Sequence, residues 1–435
     1  MRPTSQPAKP AKPAKPAMTL VVGVFYLLAL PFILTNHNHG RAFFDQLHFH
    51  LPTIIGFIDQ LDFSDYHAAS TPGYHTLIAI VGKMGVSSEI GFKLFNSLFT
   101  AALLALMAWF LAPAFGKLKT LLLLLPVMLS IYIFPAGVWL IPDNLAWLSV
   151  AAMILMVTRL PFSQLRFLAE GLILLCAMLV RQTNLWLAAV IWATTLAYGL
   201  DQRHKTSRKT SALLLSFVVS LPAFIAFYLF YHQWGGFVPP SFQQIHQQFS
   251  WSVPAFFFSI FAFYSAFYLP VILPGLRVLP RQQIIRWFAL GACIGFIIAI
   301  FPETTYSKPL GRLSGLWNLV KLTPSFGHSS LFILVLSTLG GGFFAAMLCL
   351  FKRELRLVIA LSTLAFILSQ LVNKFVYERY FAGFVFILLV VFLRQSIKVL
   401  GKVKVRHQTD GTKWVWAGPI TFALFNCTIL LRGIL

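Results

Sequence analysis

Charged residues are scarce in this sequence, and acidic residues are scarcest. Of 435 residues only 12 are acidic, 11% are charged in total, and 58% are hydrophobic. A soluble domain carries about a quarter of its residues as charged side chains, so the composition excludes an ordinary water-surrounded fold. Mean hydropathy is +0.79, and apolar runs of about 20 residues recur along the chain, the length a helix needs to span a bilayer.

Cysteine patterns are also lacking. The four cysteines lie apart inside apolar runs, and none belongs to a CxxC motif or a Cys/His cluster. The spacing therefore indicates neither a disulfide framework nor a zinc site, and these residues are most simply small core residues. They are Cys176, Cys293, Cys349 and Cys427.

The basic residues are unevenly placed. The formal net charge is +22, but most Lys and Arg residues lie in short connectors between apolar runs. This is the positive-inside pattern of membrane proteins, and no basic, aromatic-bearing soluble module is present to bind nucleic acid. With the N-terminus in the cytoplasm and strict alternation, nearly every basic cluster falls on the cytoplasmic side.

The sequence predicts an all-α, polytopic membrane protein. Residues 1–17 form a disordered Pro/Ala/Lys tail, and 18–435 form one transmembrane domain. The first apolar run lacks a signal-peptidase site, so it is interpreted as a spanning helix. Roughly 13 transmembrane helices are expected, near 19–34, 91–112, 119–134, 142–158, 167–180, 183–200, 211–231, 251–273, 286–301, 329–350, 356–372, 380–397 and 414–432.

Four longer polar segments fall outside in this topology. They are residues 36–90, 232–250, 302–328 and 373–379. Structured loops of this length are usually functional, and the first one carries Asp45, Asp59, Asp62 and Asp65 within 21 residues. Residues 45–61 have apolar side chains at helical spacing, which predicts an interfacial helix. It either holds Asp45 at the outer headgroup level or simply lies against the membrane.

Other polar residues at the outer face are candidate site residues. Arg181 opposes the charge rule there, so it needs an anionic partner, either a structural carboxylate or a substrate phosphate. Asp143 follows Pro142 and is either a helix cap or a site residue. Glu378 and Arg379 open a span as an expected adjacent ion pair, and Arg379 suits bidentate contact with a phosphate.

These motifs resemble the GT-C superfamily of membrane glycosyltransferases. The similarity is greatest to the eukaryotic dolichyl-phosphate-glucose-dependent α-1,2-glucosyltransferase family. It rests on four motifs in the same order: Phe49-His50-Leu51-Pro52, the stretch from Asp65 to Gly73, Arg181-Gln182-Thr183-Asn184, and Glu378-Arg379-Tyr380. The third motif is the most specific, and together the four cover most of the chain.

The resemblance implies an inverting transfer of a hexose, with glucose favoured, from a polyprenyl-phosphate carrier to a hydroxyl of a glycan or lipid-linked acceptor. A carboxylate would deprotonate that hydroxyl, and cations would stabilise the leaving phosphate. No metal or other cofactor is expected, in agreement with the lack of a clear DxD motif. The expected base is Asp45, with Asp65 as the other candidate. The expected substrate-binding residues are His50, Asp143, Arg181, Gln182, Asn184, Glu378 and Arg379, with Lys321 and His328 as weaker candidates.

One departure from the family motif limits the assignment of the base. The family has an Asp-Glu pair immediately before its FH(I/L)P run, where this chain has Gln46 and Leu47. Either Asp45 takes over, or the role has moved to Asp65.

Two other functions stay open. One is a transporter or flippase of lipid-linked saccharides, although no internal repeat typical of transporters is visible. The other is a structural scaffold, which leaves the long acidic segment unexplained.

The expected location of the protein is a bacterial inner membrane, which is favoured over the endoplasmic reticulum.

Overall fold

A computed structural model describes residues 14–35, 40–64, 66–200, 206–246, 248–401 and 413–434. Most of these residues are helical, and strands are almost absent from the described ranges. The first half contains α1 Lys15–Leu34, α2 Arg41–Asp45, α3 Leu51–Asp59, α4 Gly73–Lys83, α5 Glu89–Phe115, α6 Lys117–Met128, α7 Ile133–Val138, α8 Asp143–Arg159, α9 Gln164–Val180 and α10 Ala188–Leu200. A π-helical turn, Gln46–His50, joins α2 to α3, and a 3-10 helix, Gln182–Leu187, precedes α10.

The second half of the chain is also built mainly from helices. It contains α11 Thr206–Trp234, α12 Pro240–His246, α13 Val253–Arg277, α14 Arg281–Ile300, α15 Trp317–Val320, α16 Leu331–Leu348, α17 Arg353–Gln370, α18 Arg379–Leu400 and α19 Ala417–Ile434, with a 3-10 helix at Lys413–Trp416. Strands β1 (Ser325–Phe326) and β2 (Ser329–Ser330) form a small antiparallel hairpin.

Eight helical segments within the described ranges are long and apolar enough to cross a membrane. They are Lys15–Leu34, Glu89–Phe115, Gln182–Leu200, Lys209–Trp234, Val253–Arg277, Arg281–Ile300, Leu331–Leu348 and Arg379–Leu400. This confirms a helical protein compatible with several membrane passes, whereas the count of 13 stays a prediction. The other five predicted spans coincide with α6 and α7, α8, α9, α17 and α19. The first of these five is interrupted between Met128 and Ile133.

Helix α18 forms the centre of the bundle. Every residue from 380 to 393 is buried, as expected for a helix that is hydrophobic on all sides. Helices α13, α5 and α8 pack around it. Helices α1, α11 and α14 are mostly exposed, and their apolar faces are suited to contact with lipid.

Small residues set the spacing of α14 and α16. Cβ atoms at Gly291 and Gly341 would each overlap the backbone of the other helix, and Ser337 Oγ donates to the Gly295 carbonyl at 2.8 Å. Such close backbone approach is typical of helix pairs in membranes.

Two expectations about local structure need correction. Helix α1 begins at Lys15, inside the predicted tail of residues 1–17, and residues 1–13 lie outside the described ranges. Cys176 and Cys293 are exposed on helix surfaces. They are not core residues, because in a membrane protein the outer faces of helices are as apolar as the interior.

Candidate functional site

A polar cavity of about 230 Å³ lies where the ends of several helices converge. Helices α8 and α18 begin at it, α9 ends at it, and the segment from α2 through the π-helical turn covers it. Six of the residues predicted from the sequence line this one cavity, although they are spread over more than 300 positions. They are Asp45, His50, Asp143, Arg181, Gln182 and Arg379.

The first ion pair in the cavity joins two segments that are far apart in the sequence. Arg379 Nη1 donates to Asp45 Oδ2 at 2.9 Å, and both side chains are mostly buried. Arg379 is the first residue of α18, and Asp45 is the last residue of α2. The pair therefore attaches the predicted catalytic segment to the central helix.

The second ion pair links α8 to the end of α9. Arg181 Nη2 donates to Asp143 Oδ1. Arg181 has an extended backbone between α9 and the 3-10 helix, which turns its side chain away from the helix axis. The sequence left the anionic partner of Arg181 open, and the structure identifies a carboxylate partner, Asp143, inside the cavity wall.

The two arginines share an aromatic neighbour. The guanidinium carbons of Arg181 and Arg379 lie 5.4 and 5.3 Å from the centroid of the Tyr380 ring. A third guanidinium, that of Arg41, lies 5.1 Å from the centroid of the Tyr377 ring and also lines the cavity. Cation–π contacts of this kind hold guanidinium groups without neutralising them.

The charges that line the cavity do not balance. Three guanidinium groups, Arg41, Arg181 and Arg379, face the carboxylates of Asp45 and Asp143. With His50 neutral, one positive charge has no carboxylate counterpart among the described lining residues. Arg41 is exposed, whereas Arg181 and Arg379 are partly buried. An excess of positive charge in a recess favours an anionic ligand.

Some hydrogen-bonding capacity at the cavity is unused. Arg181 Nε, Arg379 Nε and Gln182 Oε1 are buried and have no hydrogen-bond partner among the described residues. Buried polar atoms normally have partners, so unpaired atoms of three lining residues favour a polar ligand here.

Residue Gln46 fixes the position of the Asp45 segment. It is fully buried, its amide donates to Glu89 Oε1 at 2.7 Å, and its carbonyl accepts from the Leu140 backbone at 2.9 Å. The π-helical turn that contains it inserts an extra residue into the helix, a feature frequent at functional sites. The helix predicted for residues 45–61 runs from Arg41 to Asp59 and contains this π-helical turn, and Gln60 and Leu61 lie beyond its end.

A pair of histidines extends from the wall of the cavity into the protein, with His50 in the wall and His75 behind it. His50 Nδ1 and His75 Nε2 are 2.9 Å apart, and His75 Nδ1 is 2.8 Å from the Tyr66 hydroxyl. Burial, with the positive charges of Arg379 and Arg181, lowers the pKa of His50 to about 3. Burial and the neighbouring His50 also lower the pKa of His75 well below its ordinary value. Both rings are therefore neutral at pH 7 and add no charge to the cavity.

Two predicted site residues lie outside the lining of this cavity. The Asn184 amide donates to the Ala177 carbonyl at 3.2 Å and so caps the end of α9. Glu378 accepts hydrogen bonds from the Tyr264 hydroxyl at 2.8 Å and from the Leu316 backbone at 3.0 Å. The expected adjacent ion pair of Glu378 and Arg379 is not formed, because consecutive residues at the start of a helix point in different directions.

The remaining candidates are elsewhere. Lys321 lies 5.7 Å from the Tyr306 ring centroid, and His328 Nε2 is 2.9 Å from the Ile300 carbonyl. Neither residue lines the polar cavity. Asp65, the second candidate base, lies outside the described residues.

A larger apolar cavity of about 630 Å³ adjoins the polar one. Its wall includes Trp192, Phe224, Phe227 and Phe249, and it lies between α10, α11 and α17. Four residues line both cavities: Gln182, Thr183, Val238 and Asn373. A charged recess therefore borders directly on a hydrophobic one.

Sequence reasoning missed Arg41 and His75 as partners of this site. Arg41 lies in a segment predicted to be external. It therefore opposes the positive-inside rule there, as Arg181 does, and needs an anionic partner for the same reason. The sequence pattern does not identify His75 as a partner of this site, because its contact with His50 depends on how α4 packs against the π-helical turn.

Comparisons with family models, with curated proteins and with solved structures found no match to this chain.

Proposed function

We propose that this chain is an inverting glycosyltransferase of the GT-C type. It moves a hexose, with glucose favoured, from a polyprenyl-phosphate carrier to a hydroxyl of a glycan or lipid-linked acceptor. The observation that carries the proposal is the pair of adjoining cavities. One has an excess of guanidinium groups beside carboxylates, and the other has apolar, aromatic walls.

The donor in this proposal has a matching division of chemistry. Its phosphate binds among Arg41, Arg181 and Arg379, because guanidinium groups form charge-assisted hydrogen bonds with phosphate oxygens. Its isoprenoid chain occupies the apolar cavity, where burial of hydrocarbon is favourable. The four residues common to both cavities mark the point where phosphate and chain join.

Transfer proceeds by single displacement at the anomeric carbon. The acceptor oxygen forms a bond to that carbon while the bond to the phosphate oxygen breaks, and its electron pair leaves with the lipid phosphate. The acceptor proton passes to Asp45 acting as general base. The arginines stabilise the charge that develops on the leaving phosphate.

The ion pairs give donor binding a second effect. A bound phosphate competes for the Arg379 guanidinium, which otherwise pairs with Asp45 at 2.9 Å. Weakening that pair releases the carboxylate toward the acceptor hydroxyl. Donor binding therefore prepares the base in the same step that positions the leaving group.

The topology belongs to the proposal as well. The polar cavity faces the non-cytoplasmic side, the N-terminus is cytoplasmic, and about 13 helices cross the membrane. The positive-inside distribution of the connectors supports this orientation. A bacterial inner membrane is the favoured location.

The test is a transfer assay with purified protein in lipid nanodiscs. Radiolabelled polyprenyl-phosphate glucose is supplied with glycan and lipid-linked acceptors, and the products are lipid phosphate and labelled acceptor. Cleavage of the donor that depends on acceptor supports the enzyme. A protein that moves labelled donor across proteoliposome membranes without breaking the sugar–phosphate bond is instead the transporter or flippase of lipid-linked saccharides.

A further inference from the structure

A third cavity, which has basic walls, lies at the opposite end of the bundle from the polar cavity. Helices α8 and α18 pack together and both begin at the polar cavity. Arg159 is 16 residues along α8 from Asp143, and Arg394 is 15 residues along α18 from Arg379. At about 1.5 Å per residue these separations are roughly 22–24 Å. The polar cavity and the basic cavity are therefore separated by a distance that approaches the thickness of a hydrocarbon layer, about 30 Å.

Three cations line this basic cavity, whose volume is about 340 Å³. They are Arg159, Arg394 and Lys398. No carboxylate lines it, and none of the three forms an ion pair within the part of the chain that the structure describes. Its volume is within the usual range of small-ligand sites.

Local structure holds the two arginines in place. Pro113 in α5 has no backbone N–H, so the Trp109 carbonyl lacks its helical partner. Arg159 Nη1 lies 3.4 Å from that carbonyl, and its guanidinium lies 3.5 Å from the Trp109 ring centroid. Arg394 Nη1 donates to the Phe110 carbonyl at 2.7 Å, and its guanidinium lies 4.4 Å from the Phe110 ring centroid.

These contacts orient the arginines and leave their charge in place. Each guanidinium has five N–H donors, and a backbone carbonyl occupies one of them in each case. Neutral carbonyls and aromatic faces cannot balance two full positive charges. The cavity is thus a preorganised set of donors without a described counterion.

We propose that the cavity lined by Arg159, Arg394 and Lys398 binds a phosphate-bearing anion. The chemistry is that of a phosphate monoester or diester, and either an acidic phospholipid headgroup or a soluble phosphate supplies it. Basic recesses between transmembrane helices are recognised lipid-headgroup sites. This site is separate from the proposed donor site and does not depend on the proposed transfer reaction.

The experiment measures binding by thermal stabilisation of the full-length protein. Samples are prepared in phosphatidylcholine nanodiscs with increasing phosphatidylglycerol, and separately in detergent with increasing inorganic phosphate. Wild type is compared with Arg159→Gln/Arg394→Gln, with Lys398→Gln, and with Arg286→Gln as a charge-matched control. Arg286 is exposed on α14 and does not line the cavity.

Each cation is expected to contribute about fivefold to the apparent affinity, from roughly 1 kcal/mol per Lys or Arg. Lys398→Gln should therefore weaken binding about fivefold and the double variant about 25-fold, while Arg286→Gln resembles wild type. Stabilisation by phosphatidylglycerol alone identifies a lipid headgroup, and stabilisation by inorganic phosphate identifies a soluble anion.

Two results would overturn the proposal. One is that neither ligand stabilises the wild-type protein. The other is that Lys398→Gln and Arg286→Gln respond alike. Because Lys398 is exposed, its variant keeps the test decisive even if the double arginine variant fails to fold.

Discussion

The two ends of the bundle use arginine in different ways. At the polar cavity, Arg379 and Arg181 pair with carboxylates that are 334 and 38 positions away in the sequence. At the opposite end, Arg159 and Arg394 contact backbone carbonyls and aromatic rings. The buried pair of Arg166 and Glu170 there lies within one helix, at 2.6 Å.

This difference shows which end of the bundle can couple ligand binding to a carboxylate. Ion pairs between distant segments exist only when the whole chain is folded, and a competing phosphate can exchange with their carboxylates. Pairs within one turn of a helix form locally, whatever the rest of the chain does. The polar end is therefore where bound ligand and carboxylate chemistry can be coupled, and the following predictions test that distinction.

The largest expected effect is on the proposed base. Asp45→Asn keeps the size of the side chain and removes its ability to accept a proton. Transfer of labelled glucose is expected to fall about 10²- to 10⁴-fold. The matched control is Asp59→Asn, an exposed acid at the end of α3, which should leave the rate unchanged.

Asp65→Asn completes that comparison. If Asp45→Asn stays active and Asp65→Asn is inactive, the base is Asp65. Full activity in both variants would contradict the assignment of catalysis to this segment.

The next largest effect concerns the cations at the polar end. Arg181→Gln and Arg379→Gln are each expected to lower the transfer rate about 10²- to 10³-fold, because each removes a donor to the leaving phosphate. Arg286→Gln at the opposite end removes the same charge and should have no effect. Equal rates in all three variants would show that the difference between the two ends has no bearing on transfer.

A smaller effect is expected in the apolar cavity. Ala189 lines it, and Ala189→Phe fills part of the space that the proposal gives to the isoprenoid. The KM for an undecaprenyl-phosphate donor should rise about tenfold, equivalent to about 1.4 kcal/mol, and the KM for a citronellyl-phosphate donor should change little. An equal rise in KM for both donors would show that the isoprenoid chain does not bind in the apolar cavity.

A structural prediction concerns Gly315, which packs against Glu378, the residue that precedes Arg379. Gly315 has φ +62°, and a Cβ there would overlap the Glu378 carboxylate, whereas Gly327 has φ +59° with no atom near. Gly327→Ala should cost about 1–2 kcal/mol of unfolding free energy from backbone strain alone. Gly315→Ala should cost about 1–3 kcal/mol more, measured by thermal unfolding. Equal costs would mean that Glu378 does not anchor this loop.

The last prediction concerns the pH dependence of stability. The pKa of His50 is lowered to about 3, against 6.5 for the ordinary residue, so the unfolded chain binds the proton more readily. The contribution of the neutral ring to stability is present above pH 6.5 and declines as the pH falls from 6.5 toward 3. His50→Gln cannot titrate, so its stability should fall less steeply over this range. Parallel curves would show that the pKa of His50 is the same in the folded and the unfolded protein.

Much of the fold was accessible from the sequence, because long apolar runs have few solutions other than helices. Each predicted span overlaps helical structure, and basic residues such as Arg159, Arg281 and Lys398 lie at or near helix ends. The membrane count was less accessible. Segments such as α8 and α9 have 17 residues, so length and hydropathy alone do not separate a full span from a buried helix.

The site was accessible in part. Arg181 and Arg379 were predicted because cations are unusual at a face expected to be non-cytoplasmic, and six predicted residues line one cavity. Their partners were not accessible. The pairing of Arg379 with Asp45, the π-helical turn at Gln46 and the attachment of Glu378 to Leu316 all depend on tertiary packing. No local pattern encodes these contacts.

Native mass spectrometry of the protein with its bound lipids tests directly whether the polar cavity holds the donor phosphate. We predict that wild type and Arg286→Gln retain added polyprenyl-phosphate glucose as a one-to-one complex, and that Arg181→Gln/Arg379→Gln loses it. Equal retention of this lipid by the double variant would contradict the claim that the polar cavity holds its phosphate.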